Sequence, residues 1–73
     1  MTRLSTRNRL PGTVVEVEQG AVMAKVTMRV GDNHLVSLIT RESVEEMGLE
    51  ENQQVVALIK ATDVMLMTRD EEA

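Results

Sequence analysis

Apolar and polar residues alternate along most of this chain, and the period lengthens to that of a helix only once. In Thr13-Val14-Val15-Glu16-Val17-Glu18, the set Thr13, Val15 and Val17 alternates with Val14, Glu16 and Glu18, and Gln19-Gly20 closes the run. Such a segment reads as a half-buried strand. From Ala21 to Val30 the alternation is cleaner, with Val22, Ala24, Val26, Met28 and Val30 on one face and Met23, Lys25, Thr27 and Arg29 on the other. Gly31-Asp32-Asn33 supplies turn chemistry. Leu35 to Ile39 reads as a third strand, apolar on both faces. That is the pattern of a strand that meets the core on one side and another subunit on the other.

The helical period follows. Thr40 offers an N-cap, Val44 and Met47 lie on one side, and Gly48 stands where a left-handed residue ends a helix of about two turns. Gln54 to Lys60 reads as a fourth strand, Ala61-Thr62-Asp63 as a break, Val64 to Thr68 as a fifth strand, and residues 69–73 as a frayed acidic tail. Three strands, one helix and two strands define an all-β chain with one short helix. The expected architecture is an OB-like five-stranded Greek-key barrel in one domain, residues 1–73.

Composition adds a partner to this picture. A chain of 73 residues buries little surface on its own. Cys is absent and His34 is the one histidine, so neither a disulfide framework nor a Cys/His metal site is available to brace it. There is no Phe, Tyr or Trp, and the core must be assembled from aliphatic side chains worth about 1.5–3 kcal/mol each when fully buried. A homo-oligomer is the remaining source of stability. No apolar run approaches a membrane span, and the start does not read as a signal peptide, so the expected location is the cytoplasm with no membrane partner.

Charge and residue type narrow the function. The net charge of −4 opposes general attraction to nucleic acid, and the stacking rings that single-strand-binding OB barrels use are missing. Catalysis has little to work with: His34 sits beside a turn, and Glu42, Glu45, Glu46, Glu50 and Glu51 read as the solvated face of the helix and its following loop. Recognition of an anion fits better. A tetrahedral dianion presents only acceptors, so its site consists of N–H groups, hydroxyls and one or two cations. Three clusters supply these: Ser5-Thr6-Arg7, Thr40-Arg41-Glu42-Ser43 at the first helical turn, and Lys60-Ala61-Thr62. Taken singly, each also reads as a plain N-cap, a terminal segment or a strand end.

The same clusters carry a resemblance. Ser5-Thr6-Arg7-Asn8-Arg9-Leu10-Pro11-Gly12 resembles the Ser-Ala-Arg-Asn-x-Leu-x-Gly of the molbindin, or Mop-domain, family, with Thr6 in place of the usual Ala. Gly20 to Val26 resembles its Gly-Ala-Val-x-Ala-x-Val, with Met23 at a position that is often polar. Ile39-Thr40-Arg41-Glu42-Ser43 is similar to Ile-Thr-x-x-Ser, and Ala57 to Val64 is similar to Ala-x-Ile-Lys-Ala-Ser/Thr-x-Val. The match runs from Leu4 to Thr68, and it is specific as a set rather than block by block. It implies binding of molybdate or tungstate as an intact oxyanion, without catalysis or an organic cofactor, and with no protein ligand to a metal cation. It further implies a trimer of dimers that exchanges terminal segments and holds oxyanions at subunit interfaces, where Ser5, Arg7, Thr40, Ser43, Lys60 and Ala61 are the ligands. No DNA-reading helix or ATPase segment accompanies the domain, so storage or buffering of the anion is the expected role, with an OB-type adaptor that binds a partner protein as the alternative.

Overall fold

The computed structural model describes residues 6–69. Four strands and one helix are present: β1 (Asn8–Gln19), β2 (Met23–Val30), β3 (Asn33–Thr40), α1 (Arg41–Met47) and β4 (Gln54–Ile59), followed by a single 3₁₀ turn at Ala61–Asp63. The strands form one antiparallel sheet in the order β3-β2-β1-β4. β1 is long because it serves two neighbours in succession. Its first half, Asn8 to Thr13, pairs with β4, and its second half, Thr13 to Gln19, pairs with β2.

β1 departs from its sequence reading in two ways. It begins five residues before Thr13 and runs through Pro11 and Gly12, which look like turn residues. Before Thr13 the strand has β4 on one side only, an edge position where a prolyl nitrogen without a proton is tolerated. At Gly12 the backbone of Arg29 lies so close that a Cβ would collide with its carbonyl oxygen and approach the Met28 Cε to 2.7 Å. The second departure is a bulge between Val14 and Glu16, which shifts the alternation by one. Val14 and Val17 therefore face the interior and Val15 is exposed, so the simple alternation predicted for this run holds only up to the bulge.

Gly12→Val is expected to lower stability by about 1–3 kcal/mol, the cost of forcing a side chain into filled space. Thermal unfolding of the variant beside the wild type measures this. An unchanged midpoint would mean that β1 and β2 are not held this close.

β2 and β3 are joined by a two-residue hairpin turn with Gly31 at φ 60°. On β2 the alternation holds, with Ala24, Val26 and Met28 buried, although Val22 lies before the strand and is exposed. On β3, Leu35 and Ile39 turn inward, while Val36 and Leu38 are 60% and 67% exposed. Thr40 caps α1 as its sequence predicts, and Gly48 ends it at φ 62°, where the Leu49 N–H reaches back to the Val44 carbonyl at 3.1 Å. Val44 is thereby held over the sheet and completes a core with Val14, Ala24 and Val26, flanked by Val17, Ile39, Leu49 and Val55.

The fifth strand is not formed. After the 3₁₀ turn, Val64 to Thr68 pairs with no strand among the described residues, and Met65 and Leu66 are 91% and 92% exposed. The sheet curls so that β3 and β4 line the two sides of an apolar groove of about 520 Å³. Five residues, four of them apolar in succession, cannot offset the entropy of ordering a strand without a ladder partner. The acidic residues 70–73 lie outside the described residues.

Candidate functional site

Two of the three donor clusters meet at one end of β1. The last pair of the β1–β4 ladder is Asn8 with Ile59, so the residues immediately outside it are Arg7 and Lys60. The Asn8 side chain closes this end by donating from Nδ2 to the Ile59 carbonyl at 3.1 Å. Lys60 then leaves the strand in extended conformation, its carbonyl accepting from the Asp63 N–H at 2.9 Å, and Ala61 begins the 3₁₀ turn. Arg7, Lys60 and Ala61 are all exposed. Two like charges on neighbouring strand ends repel each other, and an anion between them removes that cost. Ser5 lies outside the described residues.

The Thr40–Ser43 cluster is elsewhere. Thr40 pairs with Met23 at the start of β2, beyond the far end of β1. The Thr40 Oγ1 accepts from the Ser43 N–H at 3.0 Å and donates to the Ser43 Oγ at 2.8 Å. The Arg41 N–H is taken by the Val22 carbonyl at 2.8 Å. Two first-turn N–H groups that the sequence suggests for anion binding are thus already used within the fold. The turn also presents the Ser43 hydroxyl proton, polarised by the bond that this hydroxyl receives from Thr40. The Arg41 guanidinium is held by the Glu45 carboxylate at 3.3 Å and lies 3.5 Å from the Gly20 carbonyl.

The two groups do not converge within one chain. The length of β1 lies between them, and β3 and β4 are the two edges of the sheet. Arg7 with Lys60 and Ala61, and Thr40 with Ser43, are therefore two separate clusters within one chain, each rich in donors. Among the described residues no group of His, Cys, Asp or Glu is placed to hold a metal cation. No helix among them is long and apolar enough to cross a membrane.

Sequence reasoning passed over Asn8, which stood inside the quoted Ser5–Gly12 block without a role. Its signal was available: an amide one residue after a candidate ligand, at a strand start where backbone groups lack partners.

A four-stranded sheet with a capped helix between its third and fourth strands, carrying clusters of hydrogen-bond donors at two separate places, is the architecture of a small binding module. Residues 4–66 match the TOBE domain family. Molybdenum-pterin-binding protein 1 of Clostridium pasteurianum is 42% identical over 65 residues, covering 88% of this chain and 96% of that one. Among solved structures, a molybdate binding protein from Sporomusa ovata superposes with a TM-score of 0.88 at 39% identity, over 92% of this chain and all of that one. ModG, described as a cytoplasmic molybdate-binding protein and solved with molybdate bound, gives a TM-score of 0.78 at 46% identity, over 82% of this chain and 43% of that one. The chain belongs to the TOBE-domain family and, within it, to the molbindin (Mop) proteins.

Proposed function

We propose that this protein binds molybdate, or the nearly identical tungstate, as an intact dianion at interfaces between copies of itself, and stores or buffers it in the cytoplasm. The observation that carries this reading is the separation of the two clusters. Each offers donors of the kind an oxyanion needs, yet neither surrounds a ligand, so a closed site requires a second chain to bring its own half-site or edge alongside. The exposed apolar residues Val36, Leu38, Val56 and Leu58 on the edge strands supply the driving force for such an assembly. Arg7 and Lys60 neutralise the dianion, Ser43 donates its hydroxyl proton, Thr40 orients that hydroxyl through its own O–H, Ala61 contributes backbone, and Ser5 extends the Arg7 cluster. The oligomer proposed is a hexamer, arranged as a trimer of dimers.

Nothing in this mechanism breaks or forms a covalent bond. Discrimination rests on fit and on protons. Phosphate near neutral pH carries a donor hydrogen that a site full of donors cannot satisfy, and sulfate is smaller, so both leave contacts unmade. Native mass spectrometry with and without molybdate reports subunit count and bound anions together, and calorimetry with sulfate as competitor reports selectivity. The expected results are an oligomer that gains molybdate and a sulfate affinity well below that of molybdate. A ligand at a hundredfold over its Kd adds about 2.7 kcal/mol to the native state, which a thermal shift also detects. A monomer that takes up no anion would instead favour a module that docks a partner protein.

A further inference from the structure

We infer that Asn8 is a positioning residue for the anion site, acting through Lys60; this rests on the proposed role of Lys60 in binding the oxyanion. The Ile59 carbonyl that accepts from Asn8 Nδ2 belongs to the peptide unit linking Ile59 to Lys60. Fixing that oxygen fixes the plane of the peptide and with it the direction from which the Lys60 backbone enters. The next peptide unit is fixed independently, because the Lys60 carbonyl accepts from the Asp63 N–H at 2.9 Å. Lys60 is therefore bracketed: both peptide units that flank its Cα are tied down, although the residue itself is exposed and no longer part of the strand.

This arrangement matters because a lysine contacts its ligand through a long side chain whose ordering already opposes binding. An unpinned backbone would add its own freedom to that cost. Strand ends are where such freedom appears, since the ladder stops and the last carbonyl has no further strand residue to hold it. Asn8 is half-buried and bonds across a sequence separation of 51 residues, so it ties the chain's two cation-bearing ends to each other rather than capping its own strand. Asn8 directly follows Arg7, so its side chain links the residue beside one cation to the peptide that leads into the other.

The test is a double-mutant cycle read by molybdate calorimetry on the intact oligomer, with Asn8→Leu, Lys60→Ala and the combination. Leucine keeps nearly the shape of asparagine and removes the donor. Loss of one hydrogen bond that organises the site is expected to weaken binding by roughly three- to tenfold. In the Lys60→Ala background the same change is expected to have little further effect, because the residue it positions is gone. Asn8→His, whose Nδ1 stands as far from Cβ as the asparagine amide does, is expected to recover most of the affinity. If Asn8→Leu does not assemble, Asn8→Ala removes the donor without adding bulk or charge and serves the same cycle. The inference is overturned if either donor-less variant changes affinity by less than about twofold, or if its effect is undiminished without Lys60. The underlying reading fails separately, in the wild-type and Lys60→Ala arms, if the unaltered protein takes up no molybdate or Lys60→Ala leaves the affinity intact.

Discussion

Lys60→Ala is expected to weaken molybdate binding by roughly ten- to a hundredfold while leaving the sheet folded. The magnitude is that of one charge-assisted contact, about 1.5–3 kcal/mol in a partly desolvated interface. The folded state survives because β4 is held by its ladder to β1 and by the half-buried Val55, Ala57 and Ile59, and the Lys60 side chain is exposed and lies outside the strand. Arg7→Ala is expected to match this loss. Because Arg7 precedes the first residue of β1, at the end of the chain proposed to meet a neighbour, its removal is also expected to loosen the assembly. Calorimetry gives the affinities, and sedimentation of the same samples gives the oligomer. Should both variants stay within about twofold of the wild type, a change no larger than a neutral surface substitution makes, the two cations are solvated bystanders and the anion is held elsewhere.

The parts of this fold that were legible are those set by local chemistry. Thr40 and Gly48 delimit the helix because a side-chain oxygen and a left-handed residue are what its two ends require. β2 was readable since its buried Ala24, Val26 and Met28 fall at every second position. What escaped were features decided by a neighbouring strand. Gly12 looks like a turn residue in isolation and is in fact a strand residue made necessary by the Arg29 carbonyl behind it. The bulge at Val15 moves Val14 and Val17 to the core, which no period of two can reveal.

The site divides along the same line. Local sequence identified the donor clusters, and register brought Arg7 next to Lys60 through the Asn8–Ile59 pair. It also separated both from Thr40 and Ser43 by the whole of β1, a distance that sequence spacing does not express. Helix geometry suggested free N–H groups at the first turn, but the local Thr40 cap takes that of Ser43 and a tertiary contact with the Val22 carbonyl takes that of Arg41. A fifth strand was readable from Val64 to Thr68 as a pattern, whereas its formation depends on a ladder that this single chain does not provide.

That last segment carries the largest expected effect, since Leu66→Asp is expected to abolish the oligomer and, with it, molybdate binding. Leu66 is the most exposed large hydrophobic residue of the described chain at 92%, with Met65 beside it at 91% and Met67 at 66%. Three adjacent apolar side chains left in water forgo about 1.5–3 kcal/mol apiece of burial that an interface would return. The groove between β3 and β4 offers apolar walls and two open strand edges, which is the environment such a segment needs from a neighbouring copy. An aspartate placed there must be desolvated without a partner, at a cost of several kcal/mol per copy, and a symmetric assembly incurs that cost at every interface. Glu51→Lys, in the exposed loop after the helix, changes charge by more and is expected to leave assembly intact. Sedimentation at micromolar concentration decides between them. A Leu66→Asp protein that sediments as the wild type and still binds molybdate would show that Val64 to Thr68 lies outside the interface, and the edges of β3 and β4 would then need another occupant.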